Sequence, residues 1–350
     1  MTIRFFTIFI LSVLLNFNSV CQKPYKYSFD GSLSFGRLLA HRNSMRRMVE
    51  KNSYSAELTL NLHTDGSKNH HKKYNYPTYG FTINYSNPGN KTDIGNIICS
   101  YGFVSLPFNN KVNPFHFKIG LGLGWVEKTF DLETNFQSLA VSTHLNANVQ
   151  FKIERLFQLK NQHYLKGAIL FNHLSNGSFQ TPNLGLNITQ LQISYSLGLK
   201  KQISDSTISK ILTLKKHNLT IYNSSAFKEN QTPSLRKYYI NETCIEHQYR
   251  IGYKSGVISG FDILYNPSLE EFTNKRAQCG LFLGHLLHLD KLKIGLVMGT
   301  YLYNKKDNSE TLYHKLFTEY KISNKIIGRL SLKSHWAKAD FFSLGVGYKI

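Results

Sequence analysis

The stretch VSTHLNANVQFKI, Val141 to Ile153, alternates without a break. Val141, Thr143, Leu145, Ala147, Val149, Phe151 and Ile153 fall on one side, and Ser142, His144, Asn146, Asn148, Gln150 and Lys152 on the other. Strand side chains alternate faces with period two, so this segment reads as a strand with one apolar and one wet face. The same pattern returns in YGFTINYS (79–86), FHFKIGLGLGW (115–125), KLKIGLVMGTYL (291–302) and FFSLGVGYKI (341–350). Past residue 26 no run reaches the 18 apolar residues of a membrane helix, and no apolar periodicity has helical length. Gly120, Gly122 and Gly124 lack the strand-to-helix context of a nucleotide loop and read as small inward residues.

A soluble sandwich alternates too. The N-terminus separates the readings: MTIRFFTIFILSVLLNFNSVCQK has Arg4, an apolar run from Phe5 to Leu15, and small Ser19 and Cys21 before a cut at Gln22. This predicts a secretory signal peptide over 1–21. A lipoprotein with Cys21 lipidated is the weaker reading, because Val20 stands where a small residue is usual. Strands of about ten residues between polar turns, with 24 Phe and 21 Tyr to form interfacial girdles, fit an outer-membrane barrel that is apolar outside and polar inside. The expected fold is therefore all-β, one transmembrane antiparallel barrel over 22–350, with about 12 to 16 strands and about 14 as the central expectation.

Forty-two Lys and Arg against 21 Asp and Glu give a net charge of +21. A secreted chain so basic meets phosphate-bearing lipid or glycan rather than nucleic acid. After cleavage Cys99, Cys244 and Cys279 remain, too few for a disulfide framework and without zinc spacing. No cofactor or metal is expected. His70 and His71 read as members of a solvated basic loop, Ser67 to Tyr76. His285 and His288 fall on opposite faces of a strand, which defeats a paired ligand role.

The segment FNHLSNGSFQTPNLGLN, Phe171 to Asn187, departs from the pattern. By the face rule His173 and Ser175 share the outward face of Ile169 and Phe171, and Asn187 shares that of Leu191 and Ile193. Polar groups facing lipid are expensive unless a function keeps them. Histidine and serine at i and i+2 on a strand lie about 6 to 7 Å apart along the backbone, which lets their side chains meet. The competing reading is a strand end that has already left the membrane.

HLSNGSFQTPNLGLN resembles the motif of the PagL-like lipid A deacylase, or acyloxyacyl hydrolase, family: His, any residue, Ser, Asn, then Pro-Asn and a strand residue completing a triad. These fall on His173, Ser175, Asn176, Pro182, Asn183 and Asn187, within a hairpin spanning 163–200. The resemblance implies an outer-membrane serine esterase that removes an ester-linked acyl chain from lipid A of lipopolysaccharide. Ser175 would be nucleophile and His173 general base. Asn176, with the amides around Gly177, would hold the oxyanion, a role worth about 3 to 4 kcal/mol of barrier. Asn183 would order the loop.

The family's minimal barrel has eight strands, so this longer chain carries additional strands or insertions. Its third triad member is Glu in well-studied members, whereas this chain has Asn187, and no carboxylate lies between Asn172 and Lys201 to replace it. Exchanging a triad carboxylate for an amide costs a serine protease about 10⁴ in turnover, through the wrong tautomer. A slow enzyme and a non-catalytic barrel, either channel or assembly protein, both remain open at this level. A soluble β-sandwich binder ranks third.

Overall fold

The computed structural model describes residues 26–108, 115–159, 163–198, 215–230, 236–303, 311–336 and 338–350. The expected signal peptide lies outside them. Among the described residues, sixteen antiparallel strands form not one barrel but two, each closed with eight strands. The first contains β1 (Tyr27–Leu38), β2 (Ser53–His63), β3 (Thr78–Asn87), β4 (Ile97–Pro107), β5 (Phe115–Val126), β6 (Leu145–Gln158), β7 (His163–Ser175) and β8 (Leu186–Leu197). The second contains β9 (His217–Lys228), β10 (Tyr238–Arg250), β11 (Ser255–Tyr265), β12 (Ala277–Leu289), β13 (Leu292–Tyr303), β14 (Leu312–Lys321), β15 (Ile326–His335) and β16 (Lys338–Lys349). This overturns the expected single barrel of 12 to 16 strands. Alternation reports faces and says nothing about which strand closes onto which. Closure is set by β1 pairing with β8 and β9 with β16.

The faces follow the alternation. Leu33, Leu58, Ile83, Leu191 and Ile193 on the first barrel and Leu283, Leu296, Leu344 and Val346 on the second are exposed. Their in-between neighbours Glu57, Thr82, Gln190, Gln192 and Ser343 are buried. Eight strands enclose a lumen that side chains alone can fill. In the first barrel Glu57 pairs with Lys152 at 2.8 Å and accepts from Gln192, Gln150 and Tyr101. In the second Arg329 bridges Glu246 at 2.6 Å and Glu319. The inward glycines of β5 make room: Gly120 and Gly122 lie against Tyr101, and Gly124 against Leu174. The opening stretch is strand only from Leu145; Val141 and Ser142 turn into a buried loop segment instead.

The barrels stand side by side. At one end, the β7–β8 loop of the first meets the β9–β10 connection and the start of β16 of the second. At the opposite end, the β2–β3 connection meets the turns after β10 and β12. There Tyr74 donates to the His288 carbonyl, and Tyr74, Val104 and Leu289 share an apolar cluster. The expected solvated loop is thus a dock: His70 and His71 sit in a short helix, Asn69–Lys73, and both are buried. His285 is exposed and His288 buried, on opposite faces as expected.

Candidate active site at the barrel interface

β7 and β8 pair with His173 directly opposite Asn187. The inward neighbours Leu174 and Leu186 are fully buried in the core, which fixes the strand ends and turns His173, Ser175 and Asn187 to the other face. His173 Nδ1 lies 2.6 Å from Asn187 Oδ1. Asn187 Nδ2 in turn lies 3.0 Å from Nδ1 of His41, in the loop after β1. Barrel closure makes this contact, since the Leu39 amide donates to the Asn187 carbonyl at 2.7 Å. With its Nδ2 donating to His41, Asn187 has only Oδ1 left for His173. The His173 proton is then on Nδ1, and Nε2 carries the lone pair.

Ser175 ends β7 and is 3% exposed. Gly185 makes the histidine's place possible: its φ is +80°, and a Cβ there would come within 2.7 Å of His173 Cε1. The Asn176 side-chain amide is committed within the loop, donating to the Gln180 carbonyl at 2.9 Å and to Thr143 and Ser142 hydroxyls. Its backbone N–H donates to Asn183 Oδ1 at 3.1 Å. Asn183 Nδ2 is buried with no partner among the described residues. Asn183 Oδ1 is thus tied to the start of the loop, while its Nδ2 is left as an unpartnered donor.

Gly177 and Ser178 follow with φ of +63° and +61°, and Gly177 packs against the ring of Phe342 from the second barrel. A cavity of about 290 Å³ lies at this junction. His173, Ser175 and Asn183 line it from the first barrel, and Glu229, Asn266 and Asp340 from the second. Sequence reading missed His41, Glu229 and Phe342. His41 is 146 positions from Asn187, and no local spacing links them.

Comparison with known families gives each barrel its own match. Residues 54–196 match the model for lipid A 3-O-deacylase (PagL), and residues 215–350 match that for the acyloxyacyl hydrolase C-terminal domain. The chain belongs to the PagL lipid A deacylase family. The first match covers β2 to β8 of the first barrel and the second all of the other, so the two PagL models divide the chain where the strand pairing does. The additional strands expected beyond the eight of a minimal PagL barrel are a complete barrel of their own. The PagL membership places the protein among outer-membrane lipid A deacylases. No curated protein matches the chain. Among solved structures, a mutant of the Rhodopseudomonas blastica porin aligns at 9% identity, covering 93% of this chain and 99% of the porin, with a TM-score of 0.20. Omp33 of Acinetobacter baumannii aligns at 8% identity, covering 93% and 97%, with a TM-score of 0.18. At such scores the fold rests on the strand pairings alone.

Proposed function

We propose that this PagL relative is a serine esterase that removes an ester-linked acyl chain from lipid A. The observation that carries the reading is the bond from His173 Nδ1 to Asn187 Oδ1, beside a serine that lines the same cavity. His173 Nε2, left with its lone pair, takes the Ser175 hydroxyl proton as Oγ attacks the ester carbonyl carbon. The oxyanion that forms accepts a hydrogen bond from Asn183 Nδ2. Collapse breaks the bond to the sugar oxygen, which leaves with the proton returned by His173. Water then attacks the acyl-serine, passes its proton to His173, and releases the fatty acid as Ser175 is restored.

Position supports the substrate. Ser175 ends β7, whose outward residues Leu165 and Ile169 are exposed, a surface along which an acyl chain can lie with its ester toward the serine. The non-catalytic alternative drew its strength from Asn187 in place of Glu. An amide serves when it cannot rotate, and the bond to His41 restrains it. The channel alternative has little support, since buried side chains fill both lumens.

The test is direct. Protein in detergent micelles is incubated with lipopolysaccharide, and lipid A mass and released fatty acid are followed for wild type and Ser175→Ala. Wild type should remove one acyl chain and Ser175→Ala none. Absence of release by a folded wild type, or equal release by both, would overturn the esterase reading.

A further inference from the structure

We propose that the second barrel is a clamp for the catalytic loop, with Glu229 as the positioning residue that holds the oxyanion donor in place. The inference rests on the esterase reading for its activity arm, while the clamp itself stands on geometry. The loop 176–185 carries Asn183, and nearly every residue from Gly177 to Thr181 is held from across the interface.

Glu229 Oε2 accepts from the Thr181 N–H at 2.8 Å and from its hydroxyl at 3.3 Å. The Glu229 N–H donates to the Ser178 carbonyl at 2.8 Å, so one residue grips the loop at two points. The Ser178 hydroxyl donates to the Ala339 carbonyl at 2.9 Å, and the Lys237 ammonium to the Phe179 carbonyl at 2.9 Å. Lys237 also lies 3.2 Å from Glu229 Oε1 and 4.0 Å from the centre of the Phe179 ring. Phe342 fills the space that a side chain at position 177 would need.

Glu229 is 3% exposed. A carboxylate so buried is costly unless fully partnered, and its partners here are the loop it holds and Lys237. Thr181 is two residues from Asn183, so release of the Thr181 amide loosens the backbone that carries Asn183, a residue that lines the cavity and whose Nδ2 has no other partner among the described residues. A shift of about 1 Å in such a group can cost about 10²-fold in turnover. The first barrel closes its own sheet without the second. Of its two contacts with the first barrel among the described residues, the one at the site end falls on the loop, which makes the pair one catalytic unit.

The test uses the full-length protein in micelles, with lipopolysaccharide and a short-chain p-nitrophenyl ester as substrates. It also follows hydrogen exchange of the 176–185 amides. Glu229→Ala should lower kcat about 10²-fold with KM changed by less than about twofold, and should speed exchange at Thr181. Glu229→Gln keeps an acceptor oxygen for the Thr181 N–H and should restore most of the rate. Phe342→Ala provides a second route to the same loosening should Glu229→Ala fail to fold. Wild-type kcat in Glu229→Ala, or unchanged Thr181 exchange in a folded variant, would overturn the clamp. If wild type hydrolyses neither substrate, the esterase reading falls, and the exchange measurement alone decides the clamp.

Discussion

At the residue scale, the feature that sets this chain apart from the Glu-bearing members of its family is an amide where a carboxylate is usual. A carboxylate presents an acceptor in either orientation, whereas an amide presents one acceptor and one donor, and a flipped amide would stabilise the wrong histidine tautomer. His41 answers this by accepting from Asn187 Nδ2 and leaving Oδ1 for His173. His41→Ala should therefore lower kcat by about 10-fold or more, short of the roughly 10⁴ that a wholly wrong tautomer costs. In an Asn187→Asp background, the same His41→Ala change should have almost no effect, because a carboxylate needs no orienting partner. A double-mutant cycle on kcat checks this, and equal losses in both backgrounds would remove His41 from the account.

At the element scale, the β2–β3 connection shows how a basic segment becomes a dock. His70 and His71 are buried, and burial lowers the pKa of both below the ordinary 6.5 despite the carboxylates of Asp290 and Asp65 nearby. A histidine with a depressed folded pKa contributes stability that is complete above its unfolded value. That contribution declines as pH falls below about 6.5. The short helix Asn69–Lys73 and its contact with the turn after β12 should accordingly loosen between about pH 6.5 and pH 5. Hydrogen exchange at residues 69–74, corrected for intrinsic rates, should show protection at pH 7.5 that is reduced at pH 5.5. Equal protection at both values would mean that the histidines do not control the dock. The ester site, at the other end of the barrels, should keep its loop protection over the same range apart from effects of its own histidines.

At the scale of the whole molecule, sixteen strands arranged as two barrels of eight differ functionally from one barrel of sixteen. Porin-sized barrels of 16 to 18 strands enclose an aqueous channel, whereas eight-stranded ones are filled by side chains. Here Glu57 with Lys152 and Arg329 with Glu246 occupy the two lumens as buried, hydrogen-bonded pairs. Planar-bilayer recording should therefore show no stable ion conductance from folded protein. Steady ohmic steps of porin size would contradict the two-barrel arrangement. The side-by-side placement also explains why the site carries so much polar surface beside an apolar belt. Ser175 lies at a rim where the loop and the second barrel together exclude solvent, so it need not face lipid unprotected.

The sequence by itself determined the faces and the motif. Alternation such as that of Thr82 and Asn84 against Phe81 and Ile83 assigns inside and outside, because period two is a property of the extended backbone and needs no partner. The proposed triad positions His173, Ser175 and Asn187 could be put forward from sequence for a related reason: two of them are close along one strand, and the third faces His173 across the hairpin. Only the tertiary structure decided how strands close, and with it everything that depends on closure. The β1–β8 pairing brings His41 to Asn187, and the docking of two barrels brings Glu229 to Thr181 and Phe342 to Gly177. Such contacts join residues far apart in the chain. Their energy comes from pairing and burial between elements, and no local spacing records it.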